Sequence, residues 1–118
     1  MPYDLPPVVA EFIRAGNAYD GDALIATFAE DAMANDIQRE FWGVKAIKEW
    51  TDREIIGDRV TMDVTGVVEH YGDIIVTSRM DGDYDKSPFP DGLFLTYYFT
   101  VRDGRIVRLI IIHNKPAD

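Results

Sequence analysis

A histidine and a tyrosine embedded among aliphatic and aromatic neighbours are the first side chains in this sequence able to move a proton. His113 closes the run Arg105-Ile106-Val107-Arg108-Leu109-Ile110-Ile111-Ile112-His113. If Leu109 and Ile111 face a cavity, His113 faces it too, because strand side chains alternate with period two. Its imidazole titrates near neutral pH and could shuttle protons there, or it could simply finish the strand. Tyr97 sits in Leu93-Phe94-Leu95-Thr96-Tyr97-Tyr98-Phe99 and could donate a hydrogen bond to a ligand oxygen or a developing oxyanion. Tyr19 and Tyr84 are weaker candidates of the same kind. His70, beside Tyr71-Gly72, reads as an exposed turn residue, and its spacing to His113 matches no metal motif. Asp81, Asp83 and Asp85 alternate as in a calcium loop, but no glutamate follows at the closing offset, so the segment reads as a solvated loop. The chain has no cysteine, which removes thiolate nucleophiles, disulfides and cysteine-zinc sites. There is no phosphate-cradling loop, nucleophile elbow or dinucleotide fingerprint. No metal and no cofactor is implied.

The elements that would position these groups follow from periodicity. Pro6-Pro7 opens a first helix whose face is Val9, Phe12, Ile13 and Gly16. Asp20-Gly21-Asp22 breaks the chain, and either aspartate can cap a second helix that buries Leu24, Ile25 and Phe28 and ends near Glu30-Asp31. Residues 32–42 read as a short extended stretch with a bend. A third helix after Gly43 buries Val44, Ile47 and Trp50 and is over by Gly57-Asp58. From there the period becomes two. Val60, Met62 and Val64 mark one strand; Ile74, Val76, Ser78 and Met80 mark the next, after a turn at Tyr71-Gly72-Asp73. Residues 81–92, with Pro88 and Pro90, form a long loop. Two apolar strands, 93–101 and 105–113, are joined by a hairpin turn at Arg102-Asp103-Gly104. Trp42, Trp50, Phe28, Phe41, Phe99, Met33, Met62 and Met80 are expected mainly as core. Helices first and strands after predict an α+β domain with an antiparallel sheet.

The chain of 118 residues fits one domain over 1–118. Its formal net charge of −9 argues against nucleic acid and anionic membranes as partners. No run of 18 apolar residues suggests a membrane span, and the opening Met1-Pro2-Tyr3-Asp4 lacks a signal-peptide pattern; a cytoplasmic protein is expected. Both faces of the last two strands carry apolar residues, which predicts a homodimer formed through the sheet.

Three segments resemble a known family. Phe12-Ile13-Arg14-Ala15-Gly16-Asn17-Ala18, leading through Asp20-Gly21-Asp22 into Leu24-Ile25-Ala26-Thr27-Phe28, is similar to the opening of SnoaL-like and ketosteroid-isomerase-like proteins. Trp42-Gly43-Val44-Lys45-Ala46-Ile47-Lys48-Glu49-Trp50 resembles the start of their third helix, and Tyr98-Phe99-Thr100-Val101-Arg102-Asp103-Gly104-Arg105-Ile106-Val107 their final hairpin. The resemblance implies the cone of the nuclear-transport-factor-2-like fold, with three N-terminal helices on a curved antiparallel sheet enclosing a pocket. It also implies a carboxylate base at Asp36, in Met33-Ala34-Asn35-Asp36, and a second donor at Tyr97. The family's first-helix tyrosine donor corresponds to Phe12, which cannot donate, so this part of the isomerase machinery is missing. The resemblance also makes the position of His113 a cavity-lining one.

An aspartate at the rim of an apolar cavity would have its charged form disfavoured and become a usable base, or it could cap a turn. The expected function is therefore a small-molecule enzyme or enzyme-like protein using general acid–base chemistry of the isomerase, cyclase, dehydratase or hydrolase type. Asp36, Tyr97 and His113 would be its catalytic residues. Phe12, Phe28, Trp50, Met62, Phe99, Leu109 and Ile111 would line the pocket around a small apolar organic ligand. A non-catalytic binding module and a dimeric interaction domain are the alternatives.

Overall fold

The computed structural model describes residues 3–114. Helix α1 spans Pro7–Asn17 and α2 spans Gly21–Ile25. Strands β1 (Phe28–Asp36) and β2 (Arg39–Trp42) follow, then α3 (Val44–Trp50) and a π-helical turn over Thr51–Ile56. The chain finishes with β3 (Thr61–His70), β4 (Asp73–Asp81), β5 (Leu93–Arg102) and β6 (Arg105–His113). The order across the six-stranded sheet is β2-β1-β6-β5-β4-β3. Three helices pack on it, and the sheet is not closed. No helix among the described residues is long and apolar enough to cross a membrane.

The helices start where local chemistry directs. Pro6 precedes the first turn of α1, and the Asp20 carboxylate caps α2 by accepting from the Ala23 amide at 3.1 Å. The expected stripe of α1 is buried: Val9, Phe12, Ile13 and Gly16 all face the core. Phe12 is the keystone of the aromatic cluster, meeting Phe28, Tyr97 and Phe99 edge-on at centroid distances of 5.9, 6.3 and 5.1 Å.

Three expectations need correction. The second helix does not reach Glu30. It ends at Ile25, the Thr27 hydroxyl donates back to the Leu24 carbonyl at 2.7 Å, and the Thr27 carbonyl accepts from the Ile106 amide at 2.9 Å. The last strand thus recruits residues 28–36 into the sheet, and tertiary pairing overrides a helix-compatible pattern. The sheet is consequently mixed rather than antiparallel. β1 runs parallel to β6, with Ala34 opposite Leu109 and Asp36 opposite Ile111. The extended stretch with a bend is a full hairpin, β1–β2, closed by the pair Asp36 and Arg39. Trp42, expected in the core, is 66% exposed at its end, where its indole donates to Glu40 at 3.0 Å.

Register shifts at Val64/Gly66 in β3, at Thr100/Val101 between β5 and β6, and at Phe28/Met33 in β1 bend the sheet around the helices. The π-helical turn adds its own irregularity. The Gly57 amide bonds to the Asp52 carbonyl at 2.9 Å, five residues back, and so does the Val60 amide to the Ile55 carbonyl.

The three two-residue hairpin loops have positive φ at both positions: Ile37-Gln38 (51° and 71°), Tyr71-Gly72 (51° and 86°) and Asp103-Gly104 (54° and 75°). Aspartate-glycine suits that geometry; β-branched Ile37 does not. Replacing Ile37-Gln38 with Asn-Gly should raise the unfolding free energy by about 1–2 kcal/mol in urea titrations, because it removes backbone strain without touching the core.

Candidate functional site

The β1–β2 hairpin, the end of α3 and the π-helical turn converge on one carboxylate. Asp36 Oδ2 accepts from the Trp50 indole nitrogen at 3.1 Å and from the Arg39 guanidinium at 2.5 Å. Arg39 also grips Glu54 with two bonds, Nη1 to Oε2 at 2.9 Å and Nη2 to Oε1 at 2.6 Å. Glu54 takes a further contact from Arg53 at 3.1 Å. Phe41 stacks flat on Trp50 at 5.5 Å, and the Arg39 guanidinium lies 5.8 Å from the Phe41 ring centre. The indole that orients Asp36 is therefore itself clamped.

This environment differs from the lone desolvated carboxylate expected at a cavity rim. Asp36 is only partly buried and carries a cationic partner. The hydrogen bonds of Arg39 hold the Glu54 carboxyl below the usual carboxylate range. Reciprocally, Glu54 raises the Arg39 guanidinium further, despite partial burial.

Asp36 faces a cavity of about 180 Å³. Its floor is the register row Asp36, Ile111, Tyr97 across β1, β6 and β5. Trp50, Ile55 and Val60 close it from the helical side, and Met80, Leu93 and Leu95 from the far strands. Glu54 and Asp58 add carboxylates at its edge. Asp36 and Tyr97 stand two strands apart, so their backbones are about 10 Å from one another. Tyr97 is 4% exposed. Burial, with Asp36 as a second cause, pushes its hydroxyl far above the ordinary tyrosine range, which favours the protonated form that can donate a hydrogen bond. Its one partner is the Met80 sulfur at 3.9 Å, a weak acceptor.

The other expected site residues divide by location. Trp50 and Ile111 line this cavity with Asp36 and Tyr97. Phe12 and Met62 border a crevice of about 10 Å³ between α1 and the sheet, which side chains fill. Phe28, Phe99 and Leu109 are packed core, at most 2% exposed. His113 lies on the concave face, as alternation predicts, but against Phe89 of the 82–92 loop at a ring distance of 5.5 Å, and is not among the residues lining the cavity with Asp36. Sequence reasoning missed Arg39, Glu54 and Met80 as site residues. Arg39, three residues after Asp36, was the one legible signal; Glu54 comes in only through the π-helical turn. Among the described residues no three histidine, aspartate or glutamate side chains converge as a metal would require.

Three helices packed on a bent, mixed six-stranded sheet form the α+β fold of nuclear-transport-factor-2-like proteins. The SnoaL-like domain family matches residues 9–109, and the chain belongs to that family. Among solved structures, a protein from Sinorhizobium meliloti assigned as a polyketide cyclase is 31% identical, with a TM-score of 0.82 over 92% of this chain and 96% of that one. A protein from Kribbella flavida assigned as a ketosteroid isomerase shares 12% identity at a TM-score of 0.76, over 96% of this chain and 79% of its own. The orange carotenoid protein of Anabaena, solved with canthaxanthin, shares 19% identity at a TM-score of 0.77 over 94% of this chain and 37% of its own. The last two likenesses show the fold alone. A comparison with curated protein sequences gives no match.

The ion pair makes acid sensitivity predictable. Because the Glu54 pKa lies lower in the folded than in the unfolded chain, the pair's stabilisation is complete above the ordinary value of 4.5 and is lost as pH falls through the depressed folded value. Glu54→Gln should flatten that part of the acid limb, removing roughly 1 kcal/mol of pH-dependent stability after solvent screening, as read by urea unfolding at pH 7 and pH 3.

Proposed function

We propose that this protein is a small-molecule enzyme or enzyme-like protein that works by general acid–base chemistry, of isomerase or cyclase type, on a small apolar ligand held in the Asp36 cavity. The observation that carries this reading is the pairing, on one cavity floor, of a carboxylate oriented by Trp50 and Arg39 with a buried tyrosine hydroxyl. Asp36 would take or orient a ligand proton at the mouth. Tyr97 would donate to an oxygen at the inner end, where low polarity strengthens such a bond. The membership of the SnoaL-like family and the polyketide-cyclase assignment of the Sinorhizobium meliloti relative support this class of chemistry. His113 would enter only as a flank of the loop over the cavity. A cavity of this size suits one small ring, since about 150 Å³ accommodates a benzene molecule.

A second reading, a non-catalytic binding module, is favoured by one feature. Arg39 and Trp50 both bind Asp36 Oδ2, which suits a fixed acceptor as well as a base. Turnover separates the two. Wild type and Asp36→Asn should be screened by thermal shift against small carbonyl and hydroxyl compounds. At 100 times its dissociation constant a ligand adds about 2.7 kcal/mol of stability, and Asp36→Asn should lose that response. An equal response of both proteins would make Asp36 structural. Conversion of the bound compound by wild type but not by the variant would decide for catalysis.

The convex sheet face suggests a homodimer. Ile75, Tyr98 and Ile110 are only half-buried there, and Ile112 is 43% exposed at its edge. Sedimentation equilibrium should show a dimer, and Ile112→Asp should shift it toward monomer; a wild-type monomer at high micromolar concentration would remove the proposal. A reducing, cytoplasmic setting fits a chain without cysteine.

A further inference from the structure

The 82–92 loop is longer than a hairpin between neighbouring strands needs, yet it is closely tied. The Asp83 amide donates to the Asp58 carbonyl at 2.7 Å, which fixes the loop to the turn after the π-helical segment. The amides of Phe89 and Gly92 donate back to the carbonyls of Lys86 and Phe89 at 2.9 and 3.0 Å. The Asp85 carboxylate accepts from both the amide and the hydroxyl of Ser87. The Phe89 ring meets His113 of β6 and Tyr84 edge-on, at 5.5 and 6.2 Å.

Tyr84 is the side chain these ties hold in place. Its ring lies against Gly82, where a Cβ would come within 3.1 Å of Cδ1 and 3.2 Å of Cε1, so the bare backbone permits the approach. The Lys86 ammonium, bonded to Asp81 at 2.8 Å, stands 5.8 Å from the ring centre. Tyr84 faces two spaces. It lines the Asp36 cavity of about 180 Å³, and it lines an open groove of about 620 Å³ under the loop. Met80 and Leu93 also border both, but they belong to the sheet. The loop's whole contribution to the partition is therefore Tyr84. After burial and Asp36, Tyr84 is the next cause that raises the Tyr97 hydroxyl, so the two phenols are neighbours.

We infer that Tyr84 is the specificity-determining wall of the Asp36 cavity: its ring confines the ligand to one ring and shuts off the groove that would otherwise hold a second. The inference rests on the reading that the Asp36 cavity binds a small ligand. The groove offers apolar surface for a second ring, with Met62 and Leu93 from the strands and Phe89 and Pro90 from the loop. A fused two-ring ligand seated beside Asp36 would have to overlap the Tyr84 ring. Moving that ring breaks its contacts with Gly82 and Phe89, and close-packed side chains answer such overlap with strain. The selection is one of shape, so it belongs to the ring and not to the hydroxyl.

The test uses acetophenone and 2-acetylnaphthalene, which carry the same ketone on one ring and on two, titrated into protein with 13C-methyl methionine. Met80 borders the cavity and the groove, whereas Met62 borders the groove and not the cavity. Wild type should bind acetophenone about tenfold more tightly than 2-acetylnaphthalene, with a shift of the Met80 methyl signal and none of Met62. Tyr84→Ala should abolish that preference, and the naphthyl ketone should then move the Met62 signal as well. Tyr84→Phe keeps the ring and should behave as wild type. Urea unfolding establishes that each variant is folded, and Tyr84→Leu, which retains an apolar contact for Phe89, repeats the test in a second background. Tyr84→Ala and Tyr84→Leu proteins that keep the one-ring preference overturn the inference. A Tyr84→Phe protein that loses it assigns the effect to the hydroxyl and overturns it too. A wild type that binds both ketones equally well overturns the inference and leaves the cavity reading intact. A wild type that binds neither would instead overturn the cavity reading on which the inference stands.

Discussion

The parallel pairing of β1 with β6 is the constraint from which the rest of the site follows. It sets Asp36 beside Ile111, and the antiparallel pairing of β6 with β5 then sets Ile111 beside Tyr97. A shift of one residue in either ladder would turn Asp36 or Tyr97 to the opposite face, because side chains alternate with period two. Parallel neighbours need a long crossover, and here the crossover carries β2, α3, the π-helical turn and three further strands before the chain returns. The segment that supplies Trp50 and Glu54 is thus part of the connection that the pairing itself demands.

Charge at the cavity mouth is managed by one arginine. Three carboxylates gather there, and Arg39 binds two of them, Asp36 and Glu54, from different elements. Its guanidinium fork suits this task, because it offers parallel bonds to Glu54 and still has a hydrogen for Asp36. The hairpin and the π-helical turn are tied together as a result, and Asp36 is oriented rather than free. The strained Ile37-Gln38 loop lies on the same edge, where Ile37 lines the cavity and is 48% exposed. A turn kept in an unfavourable conformation next to a polar network is the kind of local cost that functional sites retain.

The inner end of the cavity has the opposite character. Tyr97 presents a hydroxyl whose one partner is the weakly accepting Met80 sulfur, within a dry wall of Leu93, Leu95 and Ile111. Low polarity makes any good acceptor placed there valuable. The cavity therefore has an ionic mouth and a neutral inner end that carries the Tyr97 hydroxyl.

Much of this was legible in the sequence by itself. Proline and aspartate marked the starts of α1 and α2, period-two runs marked β3 to β6, and Asp103-Gly104 marked a tight hairpin, because each of these is a local preference of the backbone. The family segments pointed to Asp36 and Tyr97. The strand identity of 28–36, the parallel ladder, the hold of Arg39 on Glu54 and the separation of His113 from Asp36 could not be read there. Each depends on what a residue meets from far along the chain. Phe28 fits a helix face as well as a strand, and only the Ile106 amide reaching Thr27 decides between them. Glu54 looks like any exposed helix residue until five-residue hydrogen bonds turn it toward Arg39. Ser78 continues an alternating strand pattern whichever partner it has, so its lack of one belongs entirely to the packing around it.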